Sequence, residues 1–198
     1  MSMPIDRHDA FARVLHWTMA VLILAMLFVG VAMVASMTLR PSLLMLHRPI
    51  GIALLLLVVV RSIHRLLRRT PELPPGLPRW QRTAAHASHI ALYTLMFAMP
   101  LIGWAMVSAA GNPVVLWGDV HLPPIAPHDP AVYSVLRAAH SWLARALFAV
   151  VLLHLAAALF HAWVRRDGVF RTMAPVPLGP RMHADHRVER AEAETPRA

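Results

Sequence analysis

Residues 137–163 read RAAHSWLARALFAVVLLHLAAALFHAW. The run has the length and apolarity of a membrane span, for which about 20 apolar residues suffice. Three imidazoles interrupt it: His140, His154 and His161. An imidazole in hydrocarbon loses its water and must find another partner, so intramembrane ionisable side chains are functional candidates. His140 and His154 lie fourteen residues apart. On a helix they fall within about 40° of one face and about 21 Å apart along the axis. Two positions stacked on one face mean two sites at different depths, each needing a partner from another helix.

The rest of the chain agrees with a membrane class. Of its 198 residues, 58% are hydrophobic and the mean hydropathy is +0.54, above the usual range of soluble domains. There is no cysteine, which excludes disulfides, thiolate metal sites, cysteine-ligated iron–sulfur clusters and covalent haem attachment. Thirteen histidines remain as nitrogen ligands. The formal charge of +9 is carried by arginine alone, since there is no lysine. These arginines flank the apolar runs, so they read as topology signals and lipid-headgroup contacts rather than as a nucleic-acid surface.

Four spans are expected, at about residues 14–38, 43–67, 84–110 and 138–163, within a single domain of residues 1–175. The first is too long for the core of a signal peptide and is expected to be retained. In the second only Pro49 to Val60 is free of charge, so Arg48 and Arg61 are expected to reach outward to headgroups. The third contains Pro100, which predicts a kink, and is stopped by Gly111-Asn112-Pro113. The linker TPELPPGLPRW is expected to be stiff and extended, and the Pro-rich loop from Gly111 to Leu136 to cover the outer end. The charged tail 176–198 is expected to be disordered or a short surface helix. Lipid lets a chain satisfy its backbone through helices, so the fold class is an all-α, antiparallel four-helix membrane bundle. Fifteen arginines fall on the side of the two termini and the second connection, and four on the other, which places both termini in the cytoplasm.

Under that topology His16 enters the first span at the depth of His154, and His47 begins the second near the depth of His140. Two imidazoles per level on facing helices suit a planar macrocycle with an axial nitrogen on each side. They suit a zinc ion, usually held by four clustered ligands, less well. The expected cofactors are two b-type haems, with the axial pairs His16–His154 and His47–His140. Gly30 and Gly51 would allow a macrocycle close to a helix backbone. Arg48 and Arg137 are candidates for holding propionates. His161, about 10 Å nearer the cytoplasm than His154, is a candidate for the carbonyl or proton of a quinone. His86 and His89, opening the third span, are candidates for propionates or for competing ligation, or are simply polar residues at a helix end. His8, His64, His121, His128, His183 and His186 read as solvated.

RVLHWTMA, LHRPIGIALLLLVVVR, HASHIALYTLMFAMPLIGW, GNPVVLWG and AAHSWLARALFAVVLLHLAAALFHAW resemble, in order, segments of the bacterial cytochrome b561 family. The resemblance covers roughly residues 8–175. It implies a diheme cytochrome of the inner membrane exchanging electrons with quinone, with axial ligands at His16, His47, His140 and His154. Some members act as superoxide oxidases, and related cytochromes serve as membrane subunits of hydrogenases and other dehydrogenases. After the second-span histidine the family usually has a polar pair such as Lys-Ser, where this chain has Arg48-Pro49. Proline removes a helix hydrogen bond and favours a helix start close by, so His47 is the ligand expected to be displaced.

Three functions remain open on the sequence. One is a quinone-linked oxidoreductase with a small anionic donor drawn by Arg40, Arg48, Arg137 and Arg145. Another is an electron-transfer subunit docked to a dehydrogenase, its donor then a protein. A histidine-lined metal transporter ranks last, because transporters usually carry acidic residues in their spans. No Asp or Glu occurs between Val14 and Leu67 or within the fourth span.

Overall fold

The computed structural model describes residues 7–68, 77–116 and 120–174. The expected tail and most of the expected linker lie outside these residues. Four long apolar helices dominate: α1 (Ala10–Ala35), α2 (Arg40–Leu67), α3 (Arg79–Ala109) and α4 (Pro130–Leu159). A π-helical segment, Phe160–Arg165, continues α4, and a short helix, α5 (Val169–Met173), follows. All four long helices have the length and hydropathy to cross a membrane. Large apolar side chains point outward, Phe28 at 74% and Leu153 at 70% exposure, which is sustainable only against lipid.

Local chemistry sets the helix ends. The Asp9 carboxylate accepts the Ala12 N–H (2.7 Å) and caps α1. Asp129 caps α4 by accepting from Ala131 (2.7 Å) and Val132 (3.1 Å), with Pro130 at the first helical position. α3 ends in a Schellman motif: Gly111 N–H donates to Ser108 O and Asn112 N–H to Val107 O. Gly111 has φ +71°, and a Cβ there would also strike the His128 ring at 2.7 Å. Only glycine fits.

α1 packs along α2 and α3 along α4, while α2 and α3 touch less extensively. α4 hardly approaches α1 or α2 backbone to backbone. Leu15, Met19 and Val58 form the small core between α1 and α2, with Tyr93, Met96 and Phe97 of α3 against it. At the loop end, β1 (Val114–Val115) pairs antiparallel with β2 (His121–Leu122), Val114 opposite Leu122. Buried Ser108 fastens this loop, its hydroxyl donating to Trp104 O and accepting from Ile125 N–H. Trp104 Nε1 donates to Pro123 O.

Three sequence expectations are corrected. Pro49 does not start a helix: α2 begins at Arg40, has Pro41 at its start and runs through a buried Pro49. Arg61 does not reach outward. Its guanidinium turns inward, donating to Tyr93 Oη (3.1 Å) and Ala12 O (3.1 Å), because α1 and α3 supply acceptors closer than the headgroups. His8 and His64 are not simply solvated: His8 is partly buried and lines a cavity with Arg61 and Arg65, and His64 Nε2 lies 3.1 Å from Asp9 Oδ2.

The Asp9 carboxyl is held below its ordinary value, first by the Ala12 N–H and then by the neighbouring cations. That contribution to stability is present above the ordinary carboxyl range and is lost as pH falls through the lowered value. Replacing Asp129 with Ala leaves two N–H groups of α4 without their acceptor and should cost about 1 kcal/mol. Thermal unfolding in detergent, followed by circular dichroism, should show a lower midpoint for Asp129→Ala, with helix content unchanged at low temperature.

Candidate metal centre

The bundle has a terminal end, where residues 7–17 and 160–174 meet, and a loop end carrying residues 36–47, 110–116 and 120–140. His16 of α1 and His154 of α4 face each other near the terminal end, with ring centroids 6.5 Å apart and planes at 72°. Towards the loop end His47 of α2 faces His140 of α4 at 6.2 Å and 68°. All four rings are partly buried. Two nitrogen–metal bonds of about 2 Å, plus the half-widths of two imidazoles, add up to about 6 Å. The separations therefore leave room for one metal ion between each pair.

Several further observations bear on what would fit there. Each pair spans helices that are held apart, α1 from α4 and α2 from α4, whereas directly packed helices leave no slot. The Nδ1 atoms of His47 and His140 are buried without a hydrogen bond of ordinary geometry. Among the described residues no three His, Asp, Glu or Cys side chains come together round one ion. The donor set is thus two imidazoles per level, which suits a macrocyclic metal with its equatorial positions already filled.

Gly103 of α3 makes room for the loop-end pair. A Cβ there would stand 3.3 Å from His140 Cε1, tighter than ordinary contact. Gly51 would meet only Met26, at 3.9 Å, and Gly30 nothing within 4 Å. Sequence reasoning singled out Gly30 and Gly51 and missed Gly103, since only the packing of α3 on α4 reveals which glycine touches a histidine.

The remaining candidates separate. His89 lies on α3 with its ring 5.8 Å from His154, within the terminal-end cluster. His86 is exposed, and its Nδ1 bonds Arg82 O one turn back on its own helix (2.8 Å). Arg48 is partly buried, with Nε lacking a partner, whereas Arg137 is exposed. The Arg145 guanidinium covers the Trp142 ring at 4.7 Å. His161 is only 14% exposed and is paired with Asp167, whose Oδ2 lies 2.7 Å from Nδ1. Asp167 carries no recognisable motif, and its spacing from His161 matches no regular helix face.

Beside the terminal-end pair is a partly open cavity of about 470 Å³, lined by Arg7, His8, Asp9, Arg61, Arg65 and Tyr93 among others. Burial first, and then Arg61 and Arg65, pushes His8 below its ordinary value. Trp17, edge-on to His16, donates from Nε1 to Met173 O (2.8 Å) and ties this level to the C-terminal segment.

Comparison with known proteins identifies the family. A family profile described as prokaryotic cytochrome b561 matches residues 7–175. Cytochrome b561 homolog 2 of Escherichia coli (strain K12) is 28% identical over 174 residues, covering 85% of this chain and 91% of the relative. The probable superoxide oxidase CybB of Yersinia pestis is 30% identical over 166 residues, covering 83% of this chain and 94% of the relative. With four apolar helices, paired imidazoles at two depths and a family match over nearly its whole described length, the chain belongs to the prokaryotic cytochrome b561 family, bacterial membrane proteins of b-type haem.

Proposed function

We propose that this protein is a diheme cytochrome that carries electrons across the inner membrane from superoxide to a quinone. The observation that carries the reading is the double pairing on α4, His154 with His16 and His140 with His47, at 6.5 and 6.2 Å. The similarity to a probable superoxide oxidase favours superoxide as donor. Each bound haem would supply a one-electron carrier whose two filled axial positions favour electron transfer over oxygen binding.

In this reading His16 and His154 hold one haem and His47 and His140 the other, about 21 Å apart along α4. His89 is as near to His154 as His16 is, so distance alone does not select the ligand. Helix spacing favours His16: α3 lies directly on α4, while α1 stands off from it, which leaves more room for a macrocycle. Arg48, next to His47 in the chain and with its Nε unpartnered, is proposed to hold a haem carboxylate.

The arginine asymmetry puts the terminal end in the cytoplasm and the loop end outside. Two superoxide anions, one quinone and two protons give two dioxygen molecules and one quinol. The chain must then attract an anion at the outer end and deliver protons at the inner end. Arg40, Arg48, Arg137 and Arg145 supply positive potential outside. His161, beyond the inner haem level and shielded from bulk water, is the residue proposed to meet the quinone carbonyl.

The pyridine haemochrome assay should give close to two haems b per chain, as two bis-imidazole levels require. His16→Ala and His154→Ala should remove one common haem signal, and His47→Ala and His140→Ala the other. Loss of the same signal in His16→Ala and His140→Ala would refute the pairing. Gly103→Val should disturb the His47–His140 haem spectrum alone, because the Cβ contact with His140 forces the ring to tilt. Superoxide generated in solution should reduce both haems in the purified protein, and a short-chain ubiquinone should reoxidise them. Haem reduction only by a protein donor would favour the dehydrogenase-subunit reading.

A further inference from the structure

Beyond α4 the chain makes a closed reversal with no counterpart at the other helix ends among the described residues. In the π-helical segment Phe160–Arg165, Arg166 N–H donates to His161 O (2.9 Å). Arg166 then takes the left-handed conformation at φ 51°, and Gly168 follows at φ 87°. This double left-handed turn carries Asp167 back over the helix end. Its Oδ2 comes 2.7 Å from His161 Nδ1, and its Oδ1 accepts the Val169 N–H at 3.2 Å. Arg165 Nε stands 3.6 Å from the same Oδ2. Carboxylate and imidazole are 17% and 14% exposed.

The reversal is fastened at its far side. Trp17 Nε1 donates to Met173 O, His8 N–H to Thr172 O and Arg7 to Ala174 O. The segment that follows Asp167 is therefore tied to α1 and to the residues just before it. An Arg165–Asp167 ion pair alone would staple such a turn. The shorter contact, however, goes to His161, and Asp167 approaches it at Nδ1 rather than at the ring's outer nitrogen.

From this geometry we infer that Asp167 is the positioning residue of His161, making the two a proton-delivering dyad for the quinone. The inference rests on the proposed quinone role of His161. An ionised carboxylate accepts and does not donate, so the proton of the neutral ring is fixed on Nδ1 and Nε2 is left free. Nε2 takes a proton from cytoplasmic water, and the ring is then imidazolium. As a quinone carbonyl gains electrons, the Nε2–H bond breaks, an O–H bond forms on the carbonyl oxygen and the ring returns to neutral. The Nδ1–H stays with Asp167 throughout. Two such deliveries match the two protons a quinone takes up with two electrons. Without the carboxylate the ring can turn, or carry its proton on Nε2, where it cannot accept one from water.

The test uses the full-length, haem-loaded protein, reduced and then mixed with a short-chain ubiquinone while haem oxidation is followed. At saturating quinone Asp167→Ala should oxidise about tenfold or more slowly, in keeping with loss of general acid catalysis. The half-saturating quinone concentration should change by less than about threefold, because binding is not the role assigned. The double variant with His161→Ala should be no slower than His161→Ala alone, and Asp167→Glu should recover part of the rate. Nitrogen-15 NMR of labelled histidine, assigned by loss of signal in His161→Ala, should show the wild-type ring protonated on Nδ1 and a tautomer mixture in Asp167→Ala. If His161→Ala is slow but Asp167→Ala matches wild type, the dyad is refuted and the quinone role of His161 stands. If His161→Ala matches wild type, both fall. A wild-type ring protonated on Nε2 overturns the dyad even where Asp167→Ala folds poorly.

Discussion

An imidazole cannot sit alone in hydrocarbon, and the arrangement of this bundle follows from that constraint. α4 carries two partly buried histidines on one face, so two other helices must bring partners to matching depths. α1 and α2 do so from across a gap, with 6.5 and 6.2 Å between ring centroids. The helices that pack tightly, α1 with α2 and α3 with α4, form two pairs, which touch directly through α2 and α3 and face each other at the histidines. The apolar core is correspondingly small, Leu15, Met19 and Val58, and lies away from α4. The b-type haem of the family would fill such a gap between facing helices.

The terminal end is built differently from the loop end. At the loop end backbone geometry dominates: a Schellman stop at Gly111, a two-residue strand pair, and a buried serine hydroxyl that pins the connecting loop. At the terminal end charged and aromatic side chains tie four segments together. Arg61 bridges α2 to α1 and α3, Trp17 fastens the segment after α4, and Asp9 both caps α1 and meets His64 of α2. Each tie uses a donor or acceptor that an interfacial helix end would otherwise leave to water. The result is a terminal end whose charged groups are held in fixed positions.

Much of the candidate site was legible in the sequence because it obeys helical periodicity. The fourteen-residue spacing of His140 and His154 defines a face whatever the tertiary details, and antiparallel topology then assigns depths to His16 and His47. His86 and His89 were read together, yet three residues of helix turn one outward to its own backbone and the other towards His154. Arg61 was misread, because headgroup-seeking is the default for a terminal arginine and the acceptors that hold it come from α1 and α3.

Composition, apolar run length and histidine spacing by themselves determined the class of fold, the number of spans and the two levels, since these depend on the bilayer and on helix geometry alone. Proximity across helices was decided only by the tertiary structure. Gly103 matters because α3 happens to press it against His140, and nothing in its neighbouring residues says so. Asp167 meets His161 because a π-turn and two left-handed residues bring it back, a path that regular periodicity does not describe. Sequence patterns report what repeats along one helix, and contacts made where helices end or cross depend on the whole chain's packing.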